Sequence, residues 1–154
     1  NDAPLDFDFD KVLEQSRENP VFYVQYAHAR VMSVFRRAAE AGVEASDAAL
    51  AEADLSLIAH QAELSVARKL AEWPRLVEIA ARTNEPHRVA FYLYELAGEF
   101  HALWNRGNDF PELRFIQEDN PALSRSKMAL ARAVAVVISA GLGILGVTPA
   151  QEMR

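Results

Sequence analysis

"NPVFYVQYAHARVMSVFRRA", residues 19–38, decides how this chain is read. Asn19 followed by Pro20 is a helix start. The Asn side chain accepts from N–H groups that have no partner inside the helix, and Pro in the first position loses nothing by lacking one. Behind that start, Val24, Ala27, His28, Val31, Phe35 and Ala38 recur at helical spacing and form one stripe, the core face. His28 lies on this stripe and reads as a core histidine whose ring nitrogens are satisfied by neighbours. Tyr23, Tyr26, Arg30, Ser33 and Arg37 form a second stripe, with two phenol rings followed by two guanidinium groups. A tyrosine ring can stack on an unpaired base, and arginine can stack or hold a phosphate. The same pattern also fits an ordinary amphipathic edge with tyrosines half-buried at the core rim. Spacing alone leaves both readings open and slightly favours the edge.

The same periodicity extends along the chain, and strand signals are nearly absent, so the fold class is all-α. The first helix runs to about Ala41, where Gly42 stops it, and "GVEASDAA" follows as a loop. A second helix is expected from near Asp54 to Glu72, and a third over "EWPRLVEIAART", restarted by Pro74. A fourth starts at Pro86 and stops at Gly107, and a fifth starts at Ser124 and ends at Gly141. The loop 107–123 between them contains Pro111 and the pair Asn120-Pro121. Residues 1–17, with Asp2, Asp6, Asp8 and Asp10, read as a lead-in with a short helix at 9–16. Residues 18–154 form a single bundle of about five main helices.

The fourth helix repeats the two-stripe pattern. Val89, Leu93, Leu96, Phe100 and Leu103 make its core face, and Phe91, Tyr94, Gly98, His101 and Asn105 a second stripe beside it. Glycine inside a helix costs about 1 kcal/mol relative to alanine, so Gly98 suggests a close approach by another helix or a ligand.

Length, composition and missing motifs narrow the function. The 154 residues suit one domain, and 51% hydrophobic content supports a core. A net charge of -6 argues against a general basic nucleic-acid binder but not against a specific one. With no cysteine there are no disulfides and no thiolate metal site, which fits a cytoplasmic location. The apolar run 129–147 is interrupted by Arg132 and three glycines and reads as a buried helix with its cap, so no membrane partner is expected. The chain begins without methionine and reads as part of a longer or processed protein. The four histidines, at 28, 60, 87 and 101, lack metal-site spacing, and His60 three residues before Glu63 reads as a common surface pairing. No phosphate-cradling glycine loop and no nucleophile motif occurs. No catalytic residue, metal or cofactor is therefore assigned, and the residues describe a helical binding module.

Four segments resemble a known family. "NPVFYVQYAHARVMSVFRRA" is similar to the opening helix of the anticodon-binding domain of arginyl-tRNA synthetases, the helical domain that class I synthetases carry. "LAEWPRLVEIAA", "EPHRVAFYLYELAGEFHALWN" and "ARAVAVVISAGLGILGVTPAQEM" resemble its later helices, in order. The resemblance covers nearly the whole chain after about residue 9. It implies a bundle that docks on the anticodon stem and loop of arginine tRNA, beside the parent enzyme's own catalytic domain. That parent is an arginine–tRNA ligase, using ATP and magnesium in a catalytic domain whose signatures are not in this sequence. The Lys-Met pair of "RSKMALA", 125–131, is read as chance. The resemblance also implies that Tyr23 and Tyr26 face the tRNA, with Arg30, Tyr94, His101 and Met153 as further contacts and Arg30 alternatively an internal strut. Two departures stand out: Arg154 follows the methionine near which the family ends, and "GNDFPELRFIQEDNPAL" is longer than the usual link. DNA is not expected as a partner; a protein-interaction bundle that presents its aromatic stripes to a partner helix, with no RNA ligand, is the competing reading. A small enzyme is the third.

Overall fold

The computed structural model describes residues 19–153, so the expected lead-in helix at 9–16 lies outside the described residues. Helix α1 spans Pro20–Glu40. The Asn19 side chain accepts from the backbone N–H of Val21 and Phe22, at 3.1 and 3.2 Å. At the other end Gly42 adopts a φ of +69°, and Val43 N–H closes back onto the Ala38 carbonyl at 2.9 Å. Only a residue without Cβ adopts that backbone cheaply, so the chain turns there.

The segment after α1 departs from expectation. A short helix α2, Asp47–Ala51, is capped by the Ser46 hydroxyl, and a 3-10 turn at Leu55–Leu57 by the Asp54 carboxylate. Helix α3 begins only at Gln61 and runs to Ala71. Its start is set by the pair that looked like surface decoration. The Ala62 N–H donates to His60 Nδ1 at 3.1 Å, and the His60 N–H donates to the Glu63 carboxylate at 3.2 Å. This reciprocal cap outweighs apolar spacing, and Asp54 spends its side chain on the Ser56 N–H instead.

Helix α4, Trp73–Thr83, follows α3 with Pro74 in its first turn, and Asn84 in left-handed conformation ends it. Helix α5 is His87–Asp109, and helix α6 is Pro121–Ile144. Helix α6 starts earlier than expected because Asn120-Pro121 repeats the device of Asn19-Pro20, with Asn120 accepting from Leu123 N–H at 3.0 Å. Ser124 is no cap. Its hydroxyl accepts from Gln117 N–H and donates to the Gln117 carbonyl, pinning the incoming loop. Nor does Gly141 end α6. Gly146, at φ +74°, does that, with Val147 N–H bonded to the Leu142 carbonyl at 2.8 Å.

Helix α5 is the hub, touching α1, α3, α4 and α6. Its core stripe Val89, Leu93, Leu96, Phe100 and Leu103 is buried throughout. Tyr92, also buried, donates its hydroxyl to the Lys69 carbonyl at 2.7 Å, and burial pushes its pKa up. Helix α5 runs two residues past Gly107, the expected stop, so the loop shortens to 110–120. It is anchored: Leu113 and Phe115 are buried, Phe115 packs 5.8 Å from the Phe100 ring, and Arg114 Nε donates to the Gly107 carbonyl at 3.0 Å. Helix α6 is long and apolar enough to cross a membrane by length and composition alone. Here it packs against α1, α2, α3 and α5, and its Lys127, 3% exposed, forms an ion pair with the equally buried Glu63. The Lys-Met pair of 125–131 therefore sits inside the bundle.

Gly141 is where α6 approaches α5 most tightly. A Cβ there would lie 2.6 Å from Leu93 Cδ2, in a side chain with no exposed surface to retreat to. Gly143, also helical, has nothing within 4 Å of the same position. Gly141→Ala is expected to lower the melting temperature, because overpacking costs ~1–3 kcal/mol. Gly143→Ala should leave it unchanged or raise it, gaining up to about 1 kcal/mol of helix propensity. Equal responses of the two variants in thermal unfolding would contradict this packing.

Candidate nucleic-acid interface

Helix α1 carries three kinds of side chain on three faces. Val24, Ala27, Val31, Val34 and Ala38 are buried toward α5 and α6, while Phe35 is half-buried against the same core. His28 belongs to this face and is 3% exposed. A carbonyl can only accept, so His28 Nδ1–H donates to the Ala150 carbonyl at 2.7 Å. Its Nε2 then accepts from the Ser139 hydroxyl of α6 at 3.0 Å. The core-histidine reading holds, and one of the neighbours is the C-terminal segment.

That segment is laid along α1. Gln25 uses both ends of its amide: Nε2–H donates to the Thr148 carbonyl at 2.8 Å, and Oε1 accepts from Ala150 N–H at 2.6 Å. Further along, Arg36 donates to the Gln151 carbonyl at 3.3 Å and stands 3.8 Å from the Glu152 carboxylate. Sequence reasoning gave Gln25 no role. Nothing in its spacing marks a clamp whose partners lie more than a hundred residues away.

The second stripe meets α5 rather than solvent alone. Tyr23 lies 5.1 Å from the Tyr94 ring and 4.5 Å from the His101 ring, measured between centroids. Tyr26 lies 5.5 Å from His101. His101 is 5% exposed, and its Nε2 is 3.2 Å from the Tyr23 carbonyl. A guanidinium can only donate, so His101 Nδ1 accepts from Arg30 at 3.0 Å and Nε2 carries the proton. Arg30 also donates to the Tyr26 hydroxyl at 3.1 Å, with its guanidinium carbon 4.3 Å from the Tyr26 centroid and 5.1 Å from that of Trp104. Arg30 is bonded inside the cluster as an internal strut would be, and it also lines the open groove beside it. His101 is nearly buried and packs against both tyrosine rings.

Around this cluster is an open groove of about 450 Å³, lined by Tyr26, Arg30, Ser33, Arg36, Trp104 and Met153, together with Ala29 and Glu152. Tyr23, Tyr26, Arg30, Tyr94 and His101 come together as one cluster, and Met153 closes the groove from the C-terminal segment. Trp104 was not among the expected residues. Its signal was present, since it lies one turn beyond His101. Gly98 departs from expectation: no described atom outside its own helix lies within 4 Å of where its Cβ would be. The neighbouring Phe91 is 67% exposed.

The fold and this cluster define an anticodon-binding helical domain. Residues 24–153 match the DALR anticodon binding domain family, and the chain belongs to that family. The arginine–tRNA ligase of Ruegeria pomeroyi is 80% identical over 154 residues, which is 100% of this chain and 26% of that protein. The arginine–tRNA ligase of Roseobacter denitrificans is 73% identical over the same span, again 26% of its length. The arginyl-tRNA synthetase of Thermus thermophilus superposes with a TM-score of 0.75 at 29% identity, covering 96% of this chain and 23% of that one. The chain thus spans about a quarter of the length of the curated relatives it matches.

His28→Ala should cut the bond between the C-terminal segment and the core. It opens a cavity and removes the partner of the half-buried Ser139 hydroxyl and Ala150 carbonyl, at roughly 1 kcal/mol for each lost hydrogen bond beside the cost of the cavity. Thermal unfolding should register a loss of about 2–4 °C per kcal/mol. An unchanged melting temperature together with weakened tRNA binding would make His28 a recognition residue instead.

Proposed function

We propose that this chain is the anticodon-reading part of an arginine–tRNA ligase. The observation that carries the reading is Tyr26: a half-buried ring, fixed through its hydroxyl and face by Arg30, at the edge of an open groove in an anticodon-binding fold. Anticodon loops offer unpaired bases that can splay outward and stack on aromatic rings. Tyr23 and Tyr94 extend the aromatic surface, and the Met153 thioether gives the groove an adaptable apolar wall. Arg30 and His101 act as positioning residues, keeping the rings in place before RNA arrives. Preorganisation of this kind lowers the ordering cost of binding. In this reading the partners are the anticodon stem and loop of arginine tRNA and the catalytic portion of the same protein, in the cytoplasm. The aminoacylation chemistry, with ATP and magnesium, lies outside these 154 residues. Purified alone, the chain should catalyse no arginine-dependent ATP–pyrophosphate exchange, and measurable exchange would refute that division of labour.

Tyr26→Ala removes the stacking ring. Stacking one base is worth ~1–3 kcal/mol by alanine substitution, so tRNA affinity should fall roughly five- to a hundredfold. Tyr26→Phe keeps the ring and should cost much less in affinity. Affinity and melting temperature are measured together for both variants at fixed salt. Intact affinity, or a loss that only tracks unfolding, would make the tyrosine stripe a core rim and favour the protein-interaction reading.

A further inference from the structure

The second stripe of α1 does not stop at the groove. Beyond Arg30 and Ser33 it reaches Arg37, and Trp104 lines both the tyrosine groove and a second hollow of about 210 Å³ on its far side. The rim of that hollow carries Arg37 and Arg114, and its walls include Val34, Trp104, Phe115 and Ile116. Both arginines are exposed. Arg37 has no carboxylate within ion-pair distance among the described residues, and Arg114 uses Nε on the Gly107 carbonyl with no carboxylate partner either. Five other basic side chains along this chain do pair: Arg36, Lys69, Arg82, Arg88 and Arg132 at the surface. Two uncompensated guanidinium groups over an apolar hollow, in a chain of net charge -6, mark a local preference for an anion attached to a flat apolar group.

We propose that this hollow is a second nucleotide subsite of the same RNA, walled by the link between α5 and α6 and adjoining the tyrosine groove at Trp104. It rests on the anticodon-reading proposal. One unpaired nucleotide lays its base over Trp104 and Ile116 and sets its phosphate between Arg37 and Arg114. The stripe from Tyr23 to Arg37 covers fourteen residue steps of helix, roughly 21 Å at 1.5 Å per residue. The link between α5 and α6 supplies Arg114, Phe115 and Ile116, and so turns a connection into one wall of the site.

The test uses the intact protein carrying this chain and an arginine tRNA transcript, with affinity measured across a salt series. Arg37→Gln and Arg114→Gln should each weaken binding roughly tenfold, the worth of one charge-assisted hydrogen bond. Each should also flatten the slope of log affinity against log salt by about 0.7, as expected when one single-strand phosphate contact is lost. Arg75→Gln, an exposed arginine on α4 with no described ion pair, corrects for the general loss of a positive charge. Should both variants behave like Arg75→Gln while Tyr26→Ala still weakens binding, the second subsite is wrong and the anticodon reading survives. Should Tyr26→Ala also bind normally, both are wrong. Arg114 holds the loop through Gly107, so its variant is read beside its melting temperature. Arg37 makes no described side-chain bond, and its variant decides the matter if the other unfolds.

Discussion

An amphipathic helix can hide its apolar stripe only against another, and in this chain α5 supplies the common surface. Val89, Leu93, Leu96, Phe100 and Leu103 lose essentially all their exposure to α1, α3, α4 and α6. Each fully buried side chain of this size is worth about 1.5–3 kcal/mol. The placement of α1 against α5 follows from that burial, and the functional face follows from the placement. Once Val24, Val31 and Val34 turn inward, helical geometry swings Tyr23, Tyr26 and Arg30 toward His101 and Trp104.

The sequence was most legible where one side chain settles the local structure alone. Asn19-Pro20, Gly42 and Pro74 mark real helix ends, and the core stripes of α1 and α5 are buried as their spacing requires. It was least legible where a side chain had two possible partners. Asp54 could have opened a long helix but caps a 3-10 turn, and His60 with Glu63 opens that helix later. Gly141 looked like a terminator because glycine commonly is one, yet it is a contact point for Leu93. The six candidate contacts do assemble at one place, but spacing could not show which of them are bonded to one another. The bond of Arg30 to His101 joins two helices and follows only from their packing.

The buried polar groups are few and each is committed. Among the described residues no buried side-chain nitrogen or oxygen lacks a partner. His28 and His101 carry their protons on opposite ring nitrogens, because one faces a carbonyl through Nδ1 and the other a guanidinium. Glu63 serves the α3 cap with one oxygen and Lys127 with the other. Removing one member of such a buried pair costs about 3–5 kcal/mol, since the survivor is left charged in an apolar setting. These bonds discriminate among packings that the apolar residues alone would accept.

The clamp that Gln25 and His28 place on the C-terminal segment reads backbone only, whereas the exposed Arg36–Glu152 pair beyond it engages a side chain. Gln25 and His28 bind the carbonyls and amide of Thr148 and Ala150, atoms that every residue except proline offers in full. The segment's path is therefore insensitive to which residues compose it and highly sensitive to how many there are. Substitutions at Thr148 or Ala150 other than proline keep these bonds, whereas one inserted or deleted residue displaces every bond downstream and shifts Met153 along the groove. The length of this stretch, more than its composition, thus decides where Met153 comes to lie.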